Sequence, residues 1–127
     1  MPKKTAATRV LIADDHTLFA EALEAILAAD ARIEVVGRAT NGAEAVELAA
    51  SLEPDVVLMD ISMPVMDGIE ATARIRAGTP GTCVLVLTGS NSPADVDAAR
   101  RAGASGYVTK DRIAAELVAA ILETAGR

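Results

Sequence analysis

In a chain otherwise rich in valine, leucine and alanine, five residues have side chains suited to chemistry: Asp14, Asp15, Asp60, Thr88 and Lys110. Three carboxylates brought to one place repel one another, and like charges in a shared site cost free energy unless something neutralises them. A divalent cation that prefers hard oxygen ligands, Mg²⁺ first, would sit between Asp15 and Asp60. The ammonium group of Lys110 would serve on the other side as a compact point charge. Together these cations would favour phosphoryl oxygens arriving at one carboxylate. Thr88 offers a hydroxyl that can donate a hydrogen bond to such an oxygen, and Gly89, without a side chain, keeps the approach open. Taken singly, each residue has an ordinary use. Asp14 and Asp15 could cap a helix, Asp60 could be a loop acid, Lys110 a surface lysine and Thr88 the end of a strand. Their joint occurrence at strand ends gives the chemical reading its weight.

These side chains can meet only if the fold brings strand ends together. Short β-branched runs alternate five times with longer Ala-rich segments. The strand candidates are Val10–Ala13, Ile33–Ala39, Val56–Asp60, Cys83–Thr88 and Gly106–Thr109. The first, third and fourth are continuously apolar, as expected of parallel strands covered by helices on both faces. Helix candidates lie near residues 17–29, 42–52, 68–77, 94–102 and 112–124. Asn41 and Ser92 each stand three residues before an acid, Glu44 and Asp95, as in a helix-start signature. Pro93 suits a first helical position, and Gly78 and Gly103 suit helix ends. Ile113, Leu117, Ala120 and Ile121 recur at helical spacing as one buried stripe. The fourth helix has only Val96 as a large apolar residue, which predicts a weakly anchored element.

Repeated strand–helix units imply right-handed crossovers and a parallel sheet. The fold class expected is α/β, an open doubly wound sheet of five parallel strands, and if strands one and three are neighbours, as in the order 2-1-3-4-5, three carboxylates converge on one small region. In such sheets ligands gather at the carboxyl ends of the strands near the switch point. Strand one ends in Asp14-Asp15, strand three in Asp60 and strand four in Thr88, while Lys110 follows strand five.

Composition narrows the partners. The chain has 127 residues, 51% of them hydrophobic and 24% charged, which excludes intrinsic disorder and leaves room for one domain. Aromatic residues make up only 2%, so the core must be built from aliphatic side chains and alanine. A net charge of −6 argues against direct binding to nucleic acid or to an anionic membrane surface. No apolar run approaches the roughly 20 residues that span a bilayer. The single cysteine, Cys83, lies in an apolar run and is expected to be a buried thiol in a reducing cytoplasm.

Asp14-Asp15, the run VVLMDISMPVMDG, Thr88 and GASGYVTK resemble the receiver domain of two-component response regulators. The motifs occur in order from Arg9 to about Ala125. Asp60 follows Asp15 by 45 positions, Thr88 follows Asp60 by 28, and Lys110 follows Thr88 by 22. The segments DDHTLF, EVVGRATNGAEAVELA and GASGYVTKD resemble the NarL/FixJ, or LuxR-type, subfamily. This resemblance implies a flavodoxin-like (βα)5 doubly wound sheet with five parallel strands in order 2-1-3-4-5, and a phosphoacceptor role for Asp60, served by a sensor histidine kinase or by small acyl-phosphate donors. It implies a Mg²⁺ site formed by Asp14, Asp15, Asp60 and the backbone carbonyl of Ser62. Thr88, Gly89 and Lys110 would contact the phosphoryl group, and Thr88 and Tyr107 would form the switch. It further implies a cytoplasmic monomer or weak homodimer, with residues 1–127 forming one receiver unit that controls transcription through a helix-turn-helix domain outside this chain. The alternatives are a single-domain regulator or a receiver working through protein contacts without phosphorylation. Enzymatic activity is expected only as self-catalysed phosphoryl transfer to Asp60 and slow autodephosphorylation. Asp111, directly after the lysine, departs from the proline common in the wider family.

Two other classes fit less well. A haloacid-dehalogenase-like phosphatase needs a second Asp two residues after its nucleophile, where this chain has Ser62. A flavodoxin-like cofactor site needs a phosphate loop after strand one, where Asp14-Asp15 would repel the ligand. His16, the lone histidine, follows the acidic pair, and against a role as metal ligand or proton relay stands the plainer expectation that it faces solvent at the start of the first helix.

Overall fold

The computed structural model describes residues 7–89 and 92–126. Five strands, β1 (Thr8–Ala13), β2 (Ile33–Ala39), β3 (Val56–Asp60), β4 (Cys83–Thr88) and β5 (Gly106–Thr109), alternate with five helices. These are α1 (Thr17–Ala28), α2 (Gly42–Leu52), α3 (Gly68–Gly78), α4 (Pro93–Arg101) and α5 (Ile113–Ala125), the last preceded by a 3-10 turn at Lys110–Arg112. The strands are all parallel, in the order β2-β1-β3-β4-β5. The expected architecture is therefore the observed one.

The alternation of side chains along a strand explains why continuous apolar runs are needed. Val10, Ile12, Leu58, Leu85, Leu87 and Val108 point to one face, against Leu23 and Leu27 of α1 and Ile113, Leu117 and Ile121 of α5. Leu11, Ala13, Val57, Met59, Val84 and Val86 point to the other face. There they meet Ala45 and Ala49 of α2, Ala71 and Ile75 of α3, and Ala99 of α4. The two layers thus use different chemistry, large aliphatic side chains under α1 and α5 and mostly alanine under α2 to α4. Small side chains let those helices approach the sheet closely in a chain with few aromatic rings.

Local chemistry sets the helix starts. Asn41 Oδ1 accepts from the Glu44 N–H at 2.8 Å, and Glu44 Oε1 accepts from the Thr40 N–H at 2.7 Å. Asp67 caps α3 in the same manner, accepting from the Glu70 N–H at 2.9 Å. Pro93 is the first residue of α4, and Gly103 takes a left-handed φ of 108° just beyond it. In α5 the buried residues are Ile113, Leu117 and Ile121, with Ala120 partly covered. In α4 only Ala99 is buried, so its anchoring is as slight as the sequence predicts. Cys83 departs from expectation. It opens β4 and is only partly buried, because a strand's first residue lies at the sheet margin.

Candidate functional site

The ends of β1 and β3 form the site. Their parallel register pairs Ala13 with Met59, so the next residues, Asp14 and Asp60, come level at the carboxyl edge of the sheet. The Asp14 side chain is wholly buried and that of Asp60 is 2% exposed. Asp15, one residue further out, is 31% exposed and marks the boundary with solvent. Lys110 reaches over from the turn after β5, with Nζ 3.4 Å from Asp60 Oδ1 and 3.9 Å from Asp14 Oδ2. Thr88 ends β4 and is buried. The β3–β4 register pairs Asp60 with Leu87, which sets Thr88 one position further along the same edge. Gly89 is exposed, with open space where a side chain would stand.

The two oxygens of Asp60 have different surroundings. Oδ1 takes the Lys110 ammonium group and the Ser62 N–H, the latter at 3.3 Å. Oδ2 has no hydrogen-bond partner among the described residues, and the same holds for Asp14 Oδ2. Burial raises the Asp60 pKa above the ordinary carboxylate value, and the neighbouring Asp14 charge pushes it the same way. Lys110 and the Ser62 N–H pull it back down. Two buried carboxylates share one ammonium group and each keeps an Oδ2 without a hydrogen bond, so the site is short of positive charge, since a polar atom held out of water without a hydrogen bond is costly. Among the described residues, Asp14, Asp15, His16 and Asp60 can offer ligand atoms within 4.8 Å of one another, so the group could hold a metal ion. Its donors are mainly carboxylate oxygens, which suit a hard divalent cation.

The loop after β3 is locked by close backbone contacts. The Gly68 N–H donates to the Ile61 carbonyl at 3.1 Å, and a Cβ on Gly68 would stand 2.2 Å from the Asp60 carbonyl oxygen. A Cβ on Gly42 would meet the Met66 carbonyl oxygen at 2.1 Å. Val65 sits at the loop tip, 82% exposed with φ 70°, and the Met66 N–H donates to the Pro64 carbonyl across it at 2.7 Å. A left-handed φ is strained for a β-branched residue, and strain of this kind clusters at functional loops. Beside the loop lies an open groove of about 590 Å³, lined by Asp15, Ile61, Ser62, Met63, Pro64, Asp67, Ile69 and Asp95.

Two further side chains border the site, Phe19, which is not evident from the sequence, and His16, which is expected to face solvent. The Phe19 ring lies under the Lys110 ammonium group, 4.6 Å from Nζ to the ring centre, a cation–π contact that steadies the lysine. His16 is 66% exposed, as expected, but its Nδ1 lies 3.4 Å from Asp14 Oδ1 and 3.3 Å from Asp15 Oδ1. The turn that places it is visible in the hydrogen bond from the His16 N–H to Asp14 Oδ1, at 2.8 Å. Tyr107 stands apart from the carboxylates, on β5. It is 40% exposed and borders a small cavity of about 40 Å³ with Val96, Ala99, Arg100, Ala104, Ser105 and Gly106.

Comparison with known proteins agrees with this arrangement. Residues 10–122 match the family described as the response regulator receiver domain. The transcriptional regulatory protein LnrK of Bacillus subtilis is 41% identical over 114 residues, covering 90% of this chain and 52% of that protein. A protein-glutamate methylesterase/protein-glutamine glutaminase of Pseudoalteromonas translucida is 44% identical over 106 residues, which are 82% of this chain and 27% of that protein. The solved signal receiver domain of the response regulator NarL from Mycobacterium tuberculosis superposes with a TM-score of 0.91 at 39% identity. That superposition covers 95% of this chain and 98% of the NarL domain. The chain spans about half the length of the transcriptional regulators it matches, and the methylesterase shows the same unit joined to an enzyme. No described helix is long and apolar enough to cross a membrane. The sheet order, the acidic edge with its lysine and the match over residues 10–122 lead to one conclusion: the chain belongs to the response regulator receiver domain family, with NarL-type regulators among its relatives.

Proposed function

We propose that Asp60 accepts a phosphoryl group from a phosphohistidine of a sensor kinase and that the resulting acyl phosphate shifts the conformation of this domain. The observation that carries this reading is the divided environment of the Asp60 carboxylate. Oδ1 is held by Lys110 and the Ser62 N–H, while Oδ2 has no partner among the described residues. A carboxylate oxygen attacks phosphorus as the phosphorus–nitrogen bond to the donor imidazole breaks, and the leaving ring keeps that electron pair and takes a proton. Such transfer asks the protein mainly for positioning and charge neutralisation. Lys110 is steadied by Phe19 and stands where it can pair with an incoming phosphoryl oxygen. Thr88, buried at the end of the next strand, supplies a hydroxyl once the phosphoryl group is in place.

Asp14, Asp15, Asp60 and the backbone carbonyl of Ser62 would hold Mg²⁺, and the two orphaned carboxylate oxygens fit that assignment. When bound, the cation supplies neutralisation of the charge that accumulates on the transferring phosphoryl oxygens. Small acyl phosphates would serve as alternative donors, and slow hydrolysis of the acyl phosphate would reset the domain. Tyr107 and the thinly anchored α4 form the face that responds, since a lightly packed helix beside a half-exposed ring can change state at low cost. Where such a domain is joined to a DNA-binding output domain, that face would relay the signal to it.

Intact mass after incubation with acetyl phosphate tests the reading, with and without Mg²⁺ and alongside Asp60→Ala. The expected result is a Mg²⁺-dependent gain of one phosphoryl group that the variant lacks. A gain that persists in Asp60→Ala would place the acceptor elsewhere.

A further inference from the structure

We propose that His16 is a fourth side-chain ligand of the divalent-cation site, through Nδ1, and that it gives the site a stronger hold on imidazole-preferring ions such as Zn²⁺ than carboxylates alone provide. The inference rests on reading the acidic edge as a cation site. It goes further by assigning a role to a residue that the phosphoryl chemistry does not use.

Geometry carries the argument. Nδ1 lies 3.4 Å from Asp14 Oδ1 and 3.3 Å from Asp15 Oδ1. Neighbouring donors about 2.1 Å from one ion lie roughly 3.0 to 3.4 Å apart, from octahedral to tetrahedral geometry. The imidazole nitrogen therefore already has the spacing of an adjacent ligand. A second observation points to a cation within the same group of acids, at Oδ2 atoms next to the Oδ1 atoms that Nδ1 faces. Asp14 is wholly buried and Asp60 is 2% exposed, and each keeps an oxygen with no hydrogen-bond partner among the described residues. The exposed ring of His16 stands over these buried acids at the mouth of the site, next to Asp15. Its position is fixed locally, because the His16 N–H donates to Asp14 Oδ1 and α1 begins at the next residue. The histidine side chain makes no cap hydrogen bond to α1, so its nitrogens are not committed to the helix.

Chemistry then separates the ions. Mg²⁺ takes oxygen ligands and gains little from an imidazole. Zn²⁺ and the later first-row divalent ions bind imidazole well and stand higher in the affinity order for a mixed nitrogen and oxygen set. Loss of His16 should therefore weaken Zn²⁺ binding and leave Mg²⁺ binding nearly intact.

Calorimetric titration of the full, untagged chain with ZnCl₂ and separately with MgCl₂ tests this, comparing the starting protein, His16→Ala and Asp15→Asn. All three are made in a Cys83→Ser background so that the one thiol cannot take zinc. The expected result is at least about a tenfold loss of Zn²⁺ affinity in His16→Ala, with Mg²⁺ affinity changed by less than about threefold. Asp15→Asn should weaken both. His16 is the only histidine, so its ring nitrogens give a single assignable pair of NMR signals. Zn²⁺ should move the Nδ1 signal, whereas Mg²⁺ should not. Equal losses for both ions, an unchanged Zn²⁺ affinity, or a Zn²⁺ effect confined to Nε2 would each overturn the assignment of His16. Absence of binding by either ion in every protein would overturn the reading of the acidic edge itself, and the inference with it.

Discussion

The Asp60 carboxylate is buried beside the equally buried Asp14, and Lys110 offsets only part of the repulsion. Burial and the Asp14 charge raise its folded-state pKa, so in the pH window above 3.8 the native chain holds this proton more tightly than the unfolded chain does. The sign follows from linkage. Stability falls as the pH rises from 3.8 through the folded value, and the full penalty of the ionised group is present above it. Replacing Asp60 by Asn removes the charge and keeps the shape, so the metal-free protein should gain about 1 to 2 kcal/mol near neutral pH. Urea unfolding of both proteins checks this, and saturating Mg²⁺ should shrink or reverse the gap by stabilising only the protein that keeps the carboxylate. A less stable Asp60→Asn in metal-free buffer would contradict the account. At this scale the sequence is readable where residue type alone decides. An acid at the end of an apolar strand is conspicuous, and so is a lysine after the last one. Phe19 is not readable as a site neighbour, and for His16 the sequence shows only its place after the acidic pair, because their contacts depend on a side-chain rotamer and a local turn that no spacing encodes.

Between the strands and the site stand the connecting loops, and there glycine is decisive. Gly68 opens α3 with its Cα against the last residue of β3, where a methyl group would stand 2.2 Å from the Asp60 carbonyl oxygen. No rotamer can relieve a clash with backbone, so Gly68→Ala must displace either α3 or the end of β3. The expected cost is about 2 to 4 kcal/mol, the range of severe overpacking and backbone strain. Because this contact is with Asp60 itself, the proposed acceptor, phosphoryl uptake from acetyl phosphate should fall in parallel. Chemical denaturation and the intact-mass assay read the two effects, and a stable Gly68→Ala with normal uptake would refute this explanation of the loop. Strand positions were legible because continuous apolar runs admit few readings, and four of the five strand candidates match the observed limits. The exception, β1, starts two residues earlier at Thr8, because the Thr8 N–H pairs with the Arg32 carbonyl and draws polar residues into the ladder. The left-handed residue Val65 gave no signal, since a β-branched side chain argues against the conformation it adopts.

With Asp60 as the proposed acceptor, charge over the whole molecule is expected to set which donors can reach it. The chain carries a net charge of −6, and the groove beside the β3–α3 loop is bordered by Asp15, Asp67 and Asp95. A small acyl phosphate is itself an anion, so it approaches this edge against a repulsive field that salt weakens. A kinase can bring compensating basic groups with its phosphohistidine, and a free donor cannot. The rate of phosphorylation by acetyl phosphate, measured at saturating Mg²⁺, should therefore rise with ionic strength. Asp67 and Asp95 provide the means to test the cause. Asp67→Asn keeps the oxygen that accepts from the Glu70 N–H, so α3 retains its cap while the charge is lost. Asp95 is exposed in the first turn of α4, where its replacement by Asn disturbs no core contact. The double variant should take phosphate from acetyl phosphate about twofold to fivefold faster at low salt, a gain on the order of two screened unit charges near the approach path. The gap should close in about 0.5 M salt, where the screening length falls to a few ångströms. A monoanionic donor such as phosphoramidate should show a smaller gain than the dianionic acetyl phosphate, because the repulsion scales with the donor's charge. Equal rates for the double variant and the starting protein at low salt, with both donors, would mean that the acidic rim does not govern access and that donor choice is made at Asp60 itself.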